Sequence, residues 1–299
     1  MTKTSQARIQ QPDSRVPKNN PSASRLRNCS LRIVITDKCN QKCIYCNAVD
    51  SLDTSSYKKT DILKKILSGI QKDTLVFSGG EPTLEPLLED YIRFAKKCRY
   101  KNIVVLSNGV RLACNDYCLG LKKAGLTGVQ LSVPHYDAAV FDSITSGHGH
   151  LKYLIEAARN LNSSAIDLFA SVVISAFNYR ALDKLAAFVH ARLKIKNIIF
   201  YFIERCLNVD DNPWTVPDIR DSMPFIRKAI KYCRKHDIRH KFSGTGLPFC
   251  ILKLNGFGFE REDFIEAARS YRRPYLQLPR AVCRNCPETT ECPWGTTQP

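Results

Sequence analysis

Three cysteines lie within eight residues, Cys39, Cys43 and Cys46, directly after the apolar run 31–35. That run reads as a buried strand, so the cysteines sit on the loop that leaves it. The spacing C-x3-C-x2-C lets one loop wrap a small inorganic core. Three thiolates can hold three irons of a cubic 4Fe–4S cluster and leave the fourth iron without a protein ligand. An open coordination position is the mark of a catalytic metal site, a closed one of a structural site. Zinc is the alternative, but it prefers four ligands, usually from paired C-x2-C units, and no histidine stands near this loop.

A second motif follows at a strand end. Residues 74–77 read as a strand that runs into Ser78-Gly79-Gly80-Glu81-Pro82-Thr83. Two glycines after a strand permit close backbone approach to a ligand, and proline suits the start of the next helix. The chain continues in strict alternation. Strands are expected at 31–36, 74–77, 102–106, 129–133, 166–174 and 197–203, and helices at 60–70, 84–98, 112–124, 148–161, 179–193 and 223–236. Gly125 is expected to close the third helix as a C-terminal cap. Six strand–helix units in alternation imply parallel strands with right-handed crossovers. In such folds the ligand sites lie at the carboxyl ends of the strands. Both motifs fall there, together with Asn108, Ser132, His135 and Cys206.

The pair of motifs resembles the signature of the radical S-adenosylmethionine (radical SAM) enzymes: C-x3-C-x-aromatic-C after the first strand, then Gly-Gly-Glu-Pro after the second. The resemblance implies an α/β fold, a partial (β/α)6 barrel similar to a TIM barrel. It implies Cys39, Cys43 and Cys46 as cluster ligands and Tyr45 beside the adenine of SAM. Gly79, Gly80 and Glu81 would bind the amino group of its methionine, and a charged acceptor suits an ammonium. Asn108 would touch the methionine or the ribose, Ser132 the ribose, and Ser171 would assist from the fifth strand. In that family the cluster reduces SAM, and the 5′-deoxyadenosyl radical formed removes a hydrogen atom from the substrate. Relatives with this layout include peptide maturases, an aminocyclitol dehydrogenase and a GTP-rearranging enzyme. A peptide or a small sugar- or nucleotide-like molecule is the expected substrate, giving an oxidised, cross-linked or rearranged product. His135 is read as an acid or base at the barrel mouth, and Cys206 as a donor or acceptor of hydrogen. The alternative for Cys206 is a packed thiol. His148 and His150 flank a glycine-rich turn and are read as solvated.

The last part of the chain breaks the alternation. Cys250, Cys283, Cys286 and Cys292 make four thiols, the complement of a closed cluster or a structural zinc. The resemblance extends to the small twitch or SPASM domains of some radical SAM enzymes, and implies a second, auxiliary 4Fe–4S cluster here. The expected organisation is a basic, disordered tail at 1–28, a barrel at 29–240 and a cluster-binding extension at 241–299.

Composition bounds the partners. The chain has 299 residues, 44% of them hydrophobic, 13 cysteines and a formal net charge of +17. No apolar stretch approaches a membrane span and no signal peptide is evident, so a reducing, cytoplasmic setting is expected. A basic surface attracts acidic partners, such as a flavodoxin- or ferredoxin-type electron donor. Nucleic acid remains possible. An RNA-modifying radical SAM enzyme, or a zinc-bearing nucleic-acid-binding protein, are the alternatives that the charge allows.

Overall fold

The computed structural model describes residues 30–47, 58–69, 73–203 and 206–243. Seven parallel strands form one sheet in the order β1-β2-β3-β4-β5-β6-β7. They are β1 (Ser30–Thr36), β2 (Thr74–Gly79), β3 (Asn102–Ser107), β4 (Gly128–Ser132), β5 (Asp167–Ile174), β6 (Asn197–Phe202) and β7 (Arg239–Ser243). The helices are α1 (Lys59–Ser68), α2 (Leu88–Lys97), α3 (Asn115–Ala124), α4 (Ala138–Thr145), α5 (His150–Ser163), α6 (Leu182–Ala191), α7 (Leu207–Asp211) and α8 (Ile219–Lys235). Strand order that follows chain order, with a helix at each crossover, is the path of a (β/α) barrel. Here β1 and β7 stand at opposite edges, so the barrel is partial.

The pleat decides which side chains face the helices. Ile33, Ile35, Phe77, Val105, Val129, Leu131, Ala170, Val172, Ile174 and Phe200 are buried and join the helix faces in one core. In α2 the buried residues are Leu88, Tyr91, Ile92 and Ala95, the i, i+3, i+4, i+7 stripe that a one-sided helix requires. Gly125 does cap α3, with φ of 120° and its N–H on the carbonyls of Leu121 and Lys122. The other face of the sheet mixes polar with apolar side chains. Arg32, Ser78, Gln130, Ser132, Ser171 and Tyr201 come from five strands and line one cleft. A sheet must curve for those side chains to meet.

Three elements depart from expectation. The sheet has a seventh strand, β7, which crosses the boundary expected at 240 and pairs with β6 from Asn197↔Arg239 to Tyr201↔Ser243. Its sequence, Arg-His-Lys-Phe-Ser, offers one apolar residue inside the strand, Phe242, which stacks on Phe200 at 4.9 Å between ring centroids. An edge strand of this kind carries no buried apolar run to read. The five-residue α7 lies between β6 and α8, where no helix was expected. The third is α4, in a stretch with no helix expected. Asp137 caps it, its Oδ1 accepting from the N–H groups of Ala139 (3.0 Å) and Val140 (3.1 Å). It ends at Ser146, which takes a left-handed conformation at φ 51°.

Phe141 anchors α4, and its side chain is almost fully buried. Truncation of such a side chain leaves a cavity that the surroundings fill only in part. Phe141→Ala should therefore lower unfolding free energy by about 3–5 kcal/mol in a urea titration.

Candidate active site at the carboxyl ends of the strands

The cysteine loop has little structure of its own. Among the described residues its one internal backbone bond runs from Cys46 N–H to the carbonyl of Cys43, at 3.0 Å. It is held from outside on three sides. Gly80 N–H donates to the Thr36 carbonyl (2.8 Å) and Glu81 N–H to the Lys38 carbonyl (2.7 Å). From α4, the carbonyls of Thr145 and Ile144 accept from Lys42 N–H (2.9 Å) and Ile44 N–H (3.0 Å). From the start of α7, Asn208 Nδ2 donates to the Cys46 carbonyl at 3.2 Å.

The two glycines serve that contact. A Cβ at Gly79, where φ is 135°, would strike the Thr36 carbonyl, and one at Gly80 would strike those of Asp37 and Lys38. The close approach read from the sequence as an approach to a ligand is here an approach of two backbones. Glu81 completes the junction. Its carboxylate is 1% exposed. Oε1 accepts from Thr83 N–H (3.1 Å), Thr83 Oγ1 (2.6 Å) and Ser107 Oγ (2.8 Å). Oε2 accepts from Asn108 N–H at 2.7 Å. A carboxylate has about four lone-pair sites, two on each oxygen, so Oε2 keeps capacity toward the cleft. Burial pushes the Glu81 carboxyl above its ordinary value, and the bonds from Asn108, Thr83 and Ser107 pull it back in part.

One cleft of about 240 Å³ gathers ten of the site residues expected from the sequence. Cys39, Cys43, Cys46, Tyr45, Gly79, Gly80, Glu81, Asn108, Ser132 and Ser171 all line it. Ser132 and Ser171 are register partners on β4 and β5. Asn108 links its turn to the cysteine loop: Oδ1 accepts from Val110 N–H (3.1 Å), and Nδ2 donates to Asn40 Oδ1 (2.7 Å). Tyr45 is half-buried and packs on Ile203, Cys206 and Val209. Burial, then the neighbouring Cys43 and Cys46, push its phenol well above the ordinary value.

The three thiols suit a polynuclear cluster. Burial is the first cause that raises the Cys39 thiol, with the charges of Glu81 and Cys46 adding to it. The Cys43 thiol is pushed up to about 12 by burial and by the other two sulfurs. Metal binding must therefore displace protons, as it does at any thiolate site. Among the described residues no three His, Cys, Asp or Glu side chains could hold one metal ion. In a 4Fe–4S cluster each cysteine sulfur binds a different iron, and all three thiols line the one cleft.

Two of the expected residues lie outside the cleft lining. Cys206 does not line the cleft; it is 3% exposed, beneath the loop, and its Sγ donates to the Cys46 carbonyl at 3.5 Å. It is the packed thiol. His135 also lies outside the lining. Its Nδ1 accepts from Asp137 N–H at 3.0 Å, its ring stacks on Tyr136 at 4.5 Å, and burial lowers its pKa. It shapes the turn into α4. Cys250, Cys283, Cys286 and Cys292 lie outside the described residues. Sequence reasoning missed Arg32, Gln41, Gln130 and Tyr201, which line the cleft. His150, expected in solvent, is half-buried and bonded to Gln41. The inward parity of Arg32 and Gln130 on their strands was the available signal.

A parallel α/β sheet with a three-cysteine loop at the carboxyl end of its first strand defines a class of iron–sulfur enzyme. A family model described as the Radical SAM superfamily matches residues 33–189. That is more than half of the chain, and the chain belongs to this superfamily. Membership makes it a radical SAM enzyme, of a family that uses S-adenosylmethionine and a 4Fe–4S cluster. Similar curated proteins include a probable GTP 3′,8-cyclase of Methanocella arvoryzae, 28% identical over 179 residues, 58% of this chain and 57% of that protein. Another is the GTP 3′,8-cyclase of Chlorobaculum tepidum, 34% identical over 119 residues, 38% of this chain and 36% of that one. The chain spans about half the length, or less, of these relatives. Among solved structures, anSMEcpe with AdoMet and the Kp18Cys peptide gives a TM-score of 0.56 at 17% identity, over 71% of this chain and 63% of that one. Methylornithine synthase gives 0.53 at 11%, over 72% and 64%. These likenesses show the fold. Membership sets aside the reading of the chain as a non-enzymatic zinc protein. Among the described residues no helix is long and apolar enough to cross a membrane.

The glycine contact is open to test. Gly80→Ala should abolish iron incorporation while circular dichroism keeps the native helix signal. Gly120→Ala in α3, where a Cβ would meet only the movable end of Glu89, should load normally and gain about 0.5–1 kcal/mol.

Proposed function

We propose that Cys39, Cys43 and Cys46 each ligate one iron of a 4Fe–4S cluster, and that the enzyme acts on a small anionic, nucleotide-like substrate. The cluster and S-adenosylmethionine together supply the removal of a hydrogen atom from that substrate. Glu81, whose Oε2 accepts from the Asn108 N–H alone among the described donors, receives the ammonium of the methionine beside the backbone of Gly79 and Gly80. Ser132 and Ser171 present their hydroxyls to the ribose, and Tyr45 walls the adenine. Asn108 fixes the turn that carries the Glu81 bond. Leu106, Val133, Val173, Phe202 and Ile203 form an apolar wall, which keeps water from a reactive intermediate.

Arg32 carries the substrate reading. It projects from β1 on the cleft side of the sheet and lines the same space as the thiols. No described side chain pairs with it. Arg32 is exposed at the cleft, and its guanidinium can fork onto a phosphate or carboxylate. Across the floor, Gln130 Nε2 donates to Tyr201 Oη at 2.9 Å, a polar pair fit for a nucleoside. The relatives named GTP 3′,8-cyclase support the nucleotide class. A peptide substrate has only the fold likeness behind it.

Two further parts complete the proposal. The net charge of +17 suits an acidic flavodoxin- or ferredoxin-type electron donor. Cys250, Cys283, Cys286 and Cys292 are proposed to hold an auxiliary cluster, on the strength of their ligand count.

Anaerobically reconstituted protein should carry about eight irons per chain and no zinc. It should form 5′-deoxyadenosine from S-adenosylmethionine when reduced, and Cys43→Ala should not. An unchanged yield from Cys43→Ala would remove the ligand assignment. Arg32→Gln should weaken GTP binding, measured by calorimetry, about 10- to 100-fold, the worth of a charge-assisted bond. Equal affinity of the two proteins for GTP would overturn the nucleotide reading. Glu81→Gln should weaken S-adenosylmethionine binding by a similar factor of about 10–100.

A further inference from the structure

Gln41 lies inside the cysteine loop, between two of the sulfurs, and is 8% exposed. Its side chain has two partners. Nε2 is 3.2 Å from His150 Nδ1. Oε1 is 3.8 Å from Cys43 Sγ, with the thiol as donor. That second contact suits the metal-free protein only. A thiolate bound to iron has no proton to give, so the carbonyl oxygen of Gln41 would then face a sulfur that is also an acceptor. Turning the amide by half a rotation removes the conflict. Nε2 then donates to the thiolate, and Oε1 accepts from His150, whose neutral ring can carry its proton on Nδ1. Both contacts survive with every donor matched.

His150 is placed for this. It opens α5, and Asp142 fixes its backbone: Oδ1 lies 3.4 Å from the His150 N–H and Oδ2 accepts from Gly149 N–H at 2.7 Å. Its ring meets Tyr153 edge-on at 6.0 Å between centroids. A Cβ at Gly147 would come within 2.7 Å of Nδ1, so the turn before α5 needs glycine there to admit the imidazole.

We propose that Gln41 is a positioning residue for the cluster: with its amide held by His150, it donates an N–H to the Cys43 thiolate and thereby raises the cluster's reduction potential. The backbone N–H of Gln41 already faces Cys39 Sγ at 3.4 Å, so one residue serves two of the three sulfurs. N–H bonds to sulfur favour the reduced cluster, because it carries one more negative charge. The proposal rests on the ligand assignment made above.

The test is a redox titration of the reconstituted full chain, followed by the electron paramagnetic resonance signal that responds to added S-adenosylmethionine. Samples are matched for iron and sulfide. Gln41→Leu, which keeps the bulk and removes the amide, should show about a tenfold lower ratio of reduced to oxidised cluster at a fixed potential. His150→Phe leaves the loop sequence intact and should shift the same way, whereas His150→Gln, which retains a donor, should restore the wild-type ratio. Should Gln41→Leu fail to load, the two His150 variants decide the matter by the same signs. A fully loaded Gln41→Leu or His150→Phe protein with the wild-type potential would overturn the proposal. Wild-type iron content in Cys43→Ala would instead overturn the ligand assignment beneath it.

Discussion

The backbone bonds from Gly80 and Glu81 to the carbonyls of Thr36 and Lys38 tie the end of β2 to the start of the cysteine loop. The loop has almost no bonds within itself, so its shape comes from what grips it. Two peptide N–H groups can reach those carbonyls only where no Cβ intervenes, which places glycine at 79 and 80. The carboxylate of Glu81 then carries the junction across to β3 through Ser107 and the Asn108 N–H. Three strand ends become one rigid edge. On it stand the thiols, the glutamate and the turn at Asn108. A buried carboxylate with four donors is a costly group to assemble, and its cost is offset only while all of its partners are in place.

The same edge explains how a loop of metal ligands stays open before metal arrives. Burial, with the neighbouring sulfurs adding to it, raises the Cys39 and Cys43 thiols, so these two favour the protonated form. Backbone contacts from α4 and the Asn208 bond from α7 hold the loop so that all three thiols line one cleft. Geometry is fixed by neutral peptide bonds, and charge appears only on loading.

What was legible in the sequence follows from the physics of each element. Buried parallel strands are apolar on both sides or nearly so, and six of them stood out as runs between helical stripes. The glycine pair and the cysteine spacing are local patterns, so both motifs were visible and both fell at strand ends. What escaped depends on distant partners. The ends of α4 and α7 meet the cysteine loop across about a hundred residues or more, and α4 is too short to show a stripe. β7 is an edge strand with mixed polarity. His150 and Gln41 are 109 residues apart, and neither residue type announces a pairing. Cys206 and His135 show the converse case: their residue types at a strand end suggested chemistry, while the structure places them outside the cleft lining, as a buried thiol and a side chain bonded within its turn.

The inward face of the sheet carries the last step. A closed barrel fills its interior with branched apolar side chains. Here the inward positions of β1, β4, β5 and β6 include Arg32, Gln130, Ser132, Ser171 and Tyr201, and a packed core cannot be built from them. Such residues are tolerated because the sheet stays open and water or a ligand reaches them. Opening the barrel is thus what allows polar groups to floor the site. It lets Arg32 and the hydrogen-bonded pair of Gln130 and Tyr201 share one cleft with the three thiols, at positions that the sheet fixes. On the proposed reading, a change of substrate would alter these inward strand positions and leave the edge that carries the thiols as it is.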